Sequence, residues 1–421
     1  MFKLNEEQGA SLERINGTED FFVLKGYAGT GKTTVITHWM EAIRTKPKGH
    51  EGFFYAPKVV LTAPTNKATN VLREKAKEIK LSADVSTIHS LLSLKLKWEK
   101  HEQILVKDQR GEDLFAEYDW VVIDECSMLG PEMMGYIQAA QESAGNKVVF
   151  MGDPCQLPPI SEVGSDSFLV EATELTQIMR QSNDNPIPRL SLYLRELILS
   201  ERPTYPNKIF EFVDDQHIFH HPLAHHEDSI LDAFADGERK TDIRHVAWTN
   251  RVVDSWNDQI RDRIYGFDRE EWMVGERIVT TAPVMDTRED NVLFSTDTLL
   301  TIQEEPEDIY VQDIPCWKIL CRGRWIYVPM RDSAKLFQAK KESLIAAAKE
   351  DRKKWRFFYK FMEAFAHVKP AHSLTVHRAQ GSTFDDVYVS FQNILQNPTR
   401  RESLQCLYVA ITRPRSRLIL V

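Results

Sequence analysis

The chain has 421 residues, 42% of them hydrophobic, and a formal net charge of −9. Its length exceeds one ordinary core, so two or more domains are expected, and the acidic balance excludes a general polyanion binder: any nucleic acid must be gripped in a local channel. Five cysteines (Cys126, Cys155, Cys316, Cys321, Cys406) without a CxxC pair or a zinc-spaced histidine point to a reducing compartment. The lack of a cationic apolar leader or a bilayer-length apolar segment predicts a soluble, intracellular protein with no membrane partner.

In chain order, residues 2–16 suit an amphipathic helix, with Leu4, Gln8, Leu12 and Ile15 on its apolar spacing. The next stretch, FFVLKGYAGTGKTT, joins a strand-like apolar run to a glycine-rich turn and a lysine. Gly26, Gly29 and Gly31 let the backbone wrap a polyphosphate, Lys32 carries a point charge to it, and the Thr33 hydroxyl is placed to ligate Mg²⁺ at the first helical turn. Strand-like and helical runs then alternate, which predicts a parallel sheet covered by helices. Residues 91–115 interrupt that pattern as an alternating basic and apolar hairpin with Trp98 at its middle.

Two further strands deliver polar residues at their carboxyl ends, where an open parallel sheet places its ligand. VVIDECSM offers Asp124 for Mg²⁺ and Glu125 to take a proton from an attacking water. VVFMGDPCQLPPI offers Gln156, whose amide can donate to a phosphate and accept from a water. A second αβ alternation begins after NDNPIP. It is interrupted between 276 and 330 by short β-like runs that resemble a small barrel, followed by a basic stretch at 332–367 that reads as one long helix. Trp355, Phe358, Tyr359 and Met362 form a stripe on that helix, which helical spacing assigns to packing in preference to base stacking. The αβ alternation returns from 372 and ends on RLILV.

GYAGTGKTT, APTNKAT, STIHSLL, VVIDECSM, GDPCQLPPI, TVHRAQGSTFDDVYVS and LYVAITRPRSRLIL resemble, in wording and order, the motifs of superfamily 1 helicases, and within them the RecD-like branch. The resemblance implies an α/β protein with two RecA-like parallel-sheet motor domains, at 1–180 and at 181–275 with 371–421. It implies a hairpin insert in the first and an SH3-like barrel plus helical insert, 276–370, in the second. It also implies an ATP- and Mg²⁺-dependent monomer that moves 5′ to 3′ on single-stranded DNA and opens forked or tailed duplexes, with single-strand-binding or replication proteins as partners and a phage-type source. A translocase that clears bound proteins with little strand separation is the alternative.

Position by position, the resemblance places Gln8 at the adenine. Gly29, Thr30, Gly31, Lys32, Thr33, Thr34 and Gly381 fall among its nucleotide contacts, and Lys32, Asp124, Glu125 and Gln156 among its catalytic groups. Arg180 and Arg413 would close on the terminal phosphate from across the cleft. Pro64, Thr65, Asn66, Thr87, His89, Asn250, Thr375, His377 and Gln380 match the segments that line the DNA channel, and Trp98 is the candidate for the strand-separating pin. Where relatives carry an Asn-Gly turn in the inserted module, this chain has FSTDTLL.

Overall fold

A computed structural model describes residues 4–45, 56–78, 81, 83–99, 102–108, 113–159, 164–177, 185–237, 242–286 and 291–421. The first lobe is built on a six-stranded parallel sheet. Across it the strands run Asp84–Thr87, Val59–Ala63, Trp120–Ile123, Lys147–Gly152, Phe21–Gly26 and Ala172–Leu175. Val59–Ala63 and Trp120–Ile123 are buried along their whole length, as expected of strands covered on both faces. Alternate residues feed two separate cores: Val121, Ile123, Val148 and Phe150 on one side, Phe22, Leu24, Val122 and Val149 on the other.

The second lobe carries a five-stranded parallel sheet ordered Ser373–Thr375, Ile243–Ala247, Phe384–Val389, Pro414–Leu420 and Ile218–His220. At its centre His245 is fully buried, with its two ring nitrogens bonded to Ser373 Oγ at 2.7 Å and Ser390 Oγ at 2.8 Å, so one imidazole clips three neighbouring segments together.

The insert in the first lobe is the expected hairpin, Leu94–Glu99 against Glu102–Lys107, with Trp98 opposite Gln103. Among the described residues, the insert in the second lobe is a β-module of three small antiparallel sheets. Ile278, Val284, Phe294, Leu300, Ile319, Ile326 and Val328 from all three meet in one core. Its root is fixed to the second lobe by Arg261 and Glu276, both fully buried, with Arg261 Nη2 donating to Glu276 Oε2 at 3.0 Å.

One detail differs from what the sequence suggests. The basic stretch is not one helix but two, Ala334–Glu350 and Trp355–Glu363. Asp351 leaves the helical region (φ −135, ψ 109) and its carboxylate accepts from the Lys353 N–H, which starts a new turn in a new direction. The aromatic stripe packs, as its spacing predicts: Phe358 is fully buried and meets Trp355 edge-on with centroids 5.4 Å apart. In FSTDTLL the turn is made by Asp297 at φ 60, a left-handed position that a short carboxamide or carboxylate side chain tolerates better than most.

Burial holds His245 and His372 neutral, pulling both down to about 3. The unfolded chain takes protons near pH 6.5 that the folded lobe refuses, so stability is full above that value and falls as pH drops towards 3. Urea unfolding midpoints followed from pH 7 to 4 are expected to show this fall. His245→Gln, which keeps two hydrogen-bonding ends without a titrating ring, is expected to remove about 1.4 kcal/mol per pH unit of the slope at most.

Candidate active site

The three central strands of the first sheet, Phe21–Gly26, Lys147–Gly152 and Trp120–Ile123, end side by side, and each hands its carboxyl end to one polar segment. After Phe21–Gly26 the chain turns through Gly29 (φ 84) and Gly31 (φ 85) into the helix Lys32–Thr45. Both dihedrals lie where a Cβ is disfavoured. The close approach is tighter still, because a Cβ on Gly31 would come 2.6 Å from Gln8 Nε2 and one on Gly26 would come 2.7 Å from Thr30 Oγ1. Lys32 Nζ donates to the Gly26 and Tyr27 carbonyls at 2.5 and 3.2 Å, so the ammonium lies within the curl of the loop.

Gln8 is fastened to that loop from the side. Its backbone N–H donates to Asn5 Oδ1, its Oε1 accepts from the Asn5 N–H in a reciprocal helix cap, and its Nε2 donates to the Thr30 carbonyl at 3.1 Å. Thr34 sits in the first helical turn, its carbonyl accepting from His38 Nδ1 at 2.9 Å.

Asp124 and Glu125 follow the next strand. Asp124 Oδ1 accepts from the Glu125 N–H at 2.9 Å, and Glu125 adopts a left-handed conformation (φ 53, ψ 40) that turns the chain sharply at the cleft. Burial pushes the Glu125 carboxyl well up from its usual range, the Asp124 charge adds to this, and Arg413 and Lys32 oppose it. A carboxylate so placed is a more willing proton acceptor than a solvated one. Asp124 Oδ2 and the Thr33 hydroxyl, two hard oxygen donors of the kind Mg²⁺ takes, make no hydrogen bond among the described residues.

The third segment is gripped from the other lobe. Asp153, fully buried, accepts from the Cys155 N–H at 2.9 Å and from the Tyr408 hydroxyl at 2.7 Å. Burial pushes its carboxyl up, opposed first by Lys32. Gln156 Oε1 accepts from Gln380 Nε2 at 3.2 Å, and the Gln156 carbonyl from Gln405 Nε2 at 3.1 Å. Tyr408, Gln405 and Gln380 all belong to the second lobe. Gln380, assigned to the DNA channel by resemblance, is thus placed against a nucleotide-side residue. Gly381, next to it, is left-handed (φ 72), and a Cβ there would lie 3.9 Å from Ala68 of the first lobe.

Arg413 is 5% exposed and held in its own lobe by the Val409 and Ser382 carbonyls and the Thr412 hydroxyl, while Glu125 and Asp153 favour its charge across the boundary. Arg180 lies outside the described residues.

The remaining candidates gather at the carboxyl ends of an edge strand and its neighbour in each sheet. In the first lobe the edge strand and its neighbour are in register Ala63↔Thr87, so Pro64, Thr65 and Asn66 emerge beside Thr87 and His89. In the second lobe the edge strand and its neighbour are in register Ala247↔Thr375, so Asn250 emerges beside Thr375 and His377. Thr65, Thr87 and Thr375 each cap a helix through the hydroxyl, to the N–H groups of Ala68, Ser90 and Arg378. His377 brings a ring nitrogen within 4.8 Å of ligand atoms of Glu402 and Cys406. The two lobes meet here through Lys67, whose Nζ donates to the Arg378 carbonyl at 3.0 Å. Burial pulls the Lys67 ammonium down to about 8, with Asp297 opposing, and Asp297 also faces Arg378 at 3.7 Å.

Sequence reasoning missed Tyr408, Gln405, Lys67 and one arginine, Arg195. The last had a signal: in the helix Ile187–Leu199 it falls on the buried face with Leu190, Ser191, Leu194 and Ile198, where an arginine is out of place.

Two parallel-sheet lobes with a phosphate loop, a carboxylate pair and a buried arginine along one seam define a P-loop motor of the two-lobed kind. Family models agree in both halves: an AAA domain matches residues 3–201 and a UvrD-like helicase C-terminal domain matches residues 370–421. The ATP-dependent DNA helicase dda of Enterobacteria phage T4 is 24% identical over 96% of this chain and 95% of its own length. The ATP-dependent RecD2 DNA helicase of Deinococcus radiodurans is 31% identical over 49% of this chain and 25% of its own. The crystal structure of a Bacteroides Pif1 helicase in complex with ADP-AlF3 and ssDNA shares the fold, with a TM-score of 0.53 at 16% identity over 100% of this chain and 92% of that one. Together these matches support the likeness to superfamily 1 helicases of the RecD-like branch.

The seam can be probed without any substrate. Tyr408→Phe deletes the bond to a buried carboxylate and is expected to lower stability by about 1.5–3 kcal/mol in urea unfolding.

Proposed function

We propose that this protein is an ATP-dependent DNA helicase that moves on single-stranded DNA in the 5′ to 3′ direction and separates duplex strands. The observation that carries the reading is the shared lobe boundary. Gln156 and Asp153 are gripped from the second lobe by Gln380, Gln405 and Tyr408, and the paired strand ends of both lobes meet at Lys67 and Arg378. A change at the phosphate therefore moves one set of strand ends relative to the other, which is what a strand-pulling motor requires.

In the chemical step Lys32 stabilises the terminal phosphates, Gln156 orients the attacking water and Glu125 takes its proton. Arg413, with Arg180, supplies positive charge to the transferring phosphoryl from the second lobe. Gln8, Gly29, Thr30, Gly31, Thr34 and Gly381 surround the nucleotide. Thr33 and Asp124 would hold Mg²⁺, which would supply positive charge against the charge developing on the phosphates. Pro64, Thr65, Asn66, Thr87, His89, Asn250, Thr375 and His377 face the strand with small polar and ring groups that suit binding without base reading, and Gln380 joins them through its place at the seam. No helix among the described residues is long and apolar enough to cross a membrane. The proposal takes the protein as a soluble, intracellular monomer acting with single-strand-binding or replication proteins.

ATP turnover with and without single-stranded DNA, and unwinding of duplexes bearing a 5′ or a 3′ tail, test the proposal. DNA-stimulated turnover and opening only from 5′ tails are expected; opening only from 3′ tails would reverse the direction. Glu125→Gln should keep nucleotide and DNA binding but lose about 10²–10⁴ in turnover. Trp98→Ala should spare DNA-stimulated turnover and reduce unwinding, and unchanged unwinding would take Trp98 out of the pin.

A further inference from the structure

Arg195 is 4% exposed, and its guanidinium carbon lies 3.6 Å from the ring centroid of Tyr27 in the phosphate loop. Its Nε and Nη1 are enclosed and have no hydrogen-bond partner. None of its guanidinium nitrogens makes a hydrogen bond or ion pair among the described residues. A buried cation without such bonds is costly, and deleting it removes that cost. Packing alone does not call for an arginine here, since the neighbouring positions on its helix are Leu190, Leu194 and Ile198.

What the guanidinium touches is the node of the phosphate loop. The Tyr27 carbonyl accepts from both Thr30 Oγ1 and Lys32 Nζ, and the Tyr27 hydroxyl donates to Glu174 Oε1 at 2.5 Å. Tyr27 belongs to the first lobe by sequence, yet its ring lies in the core of the second, with Leu190, Leu194, Ile198 and Leu407. The charge of Arg195 also favours the ionised form of Asp153, the carboxylate that Tyr408 holds.

We propose that Arg195 is an interlobe positioning residue: through the face of Tyr27 it sets the phosphate loop, and with it Lys32, according to where the second lobe stands. The flat cation follows the ring as the lobes shift, because a stacked guanidinium needs no fixed hydrogen-bond direction. Its uncommitted N–H groups leave it free to move, and the cost of its burial is retained for coupling instead of stability.

The inference rests on the reading of the chain as a DNA-dependent ATPase, so the test has one arm with DNA and one without. In the DNA-free arm, Arg195→Met is compared with the unaltered full chain for thermal unfolding without nucleotide and for affinity towards a fluorescent ATP analogue. The unfolding temperature is expected to hold or rise, while affinity weakens by about tenfold, the size of a desolvated cation–π contact. Arg195→Lys, which keeps the charge but not the flat face, is expected to fall between the two. In the second arm, the stimulation of ATP turnover by oligo(dT) should drop by a similar factor. A lower unfolding temperature with unchanged analogue affinity would make Arg195 an ordinary structural residue and overturn the proposal, as would unchanged affinity and unchanged stimulation. If the unaltered protein hydrolyses ATP with no response to DNA, the helicase reading fails, and the DNA-free arm still decides the role of Arg195.

Discussion

The hydrogen bond from Tyr408 to Asp153 is the contact on which the rest of the site depends. It joins a helix of the second lobe to a fully buried carboxylate of the first, and Lys32 stands close enough to Asp153 to help hold its charge. A buried carboxylate is tolerable only while its partners stay in place, so the two lobes cannot slide freely at this seam. The bonds from Gln380 and Gln405 to Gln156 add two more crossings within the same segment. The polar segment at the end of this strand of the first lobe is therefore held from the second.

Charge follows the same logic. A chain of net charge −9 concentrates cations where they meet a specific partner. Lys32 lies inside the phosphate loop, Arg413 is buried facing Glu125, and Lys67 lies half-buried across the strand-end loops. Glu125 itself is shaped by contest, with burial and Asp124 raising its carboxyl and Arg413 and Lys32 restraining it. A carboxylate balanced in this way is suited to accepting a proton near neutral pH.

The sequence disclosed the parts of the site whose chemistry demands fixed spacing along the chain. The phosphate loop needs glycines at set offsets before a helix, and the Asp124–Glu125 pair and Gln156 each need only a strand to carry them to the sheet's edge. The two parallel sheets and the hairpin were legible for the same reason, since period and breakers are local. Tyr408 and Lys67 were not, because their meaning is a contact to a residue more than 250 positions away in another lobe, which no local pattern encodes; Arg195 showed only as an arginine on an apolar helix face, without its partner. The basic stretch at 332–367 misled in the opposite way. Its apolar spacing continues through Asp351, and only the cap that Asp351 makes with the Lys353 N–H breaks the helix in two. In FSTDTLL it is Asp297 that takes up the left-handed position.

The β-module leaves and rejoins the second lobe through strands that lie side by side: Arg277–Thr280 pairs with Val368–Pro370, and the Ala371 N–H donates to the Arg277 carbonyl. The ends of some ninety intervening residues are thus already one ladder rung apart, a span that a two-residue reverse turn closes. The motor can accept a different head on the same neck, or none, without rethreading its sheet. Lineages are then free to exchange the inserted module while the sheet it springs from stays the same.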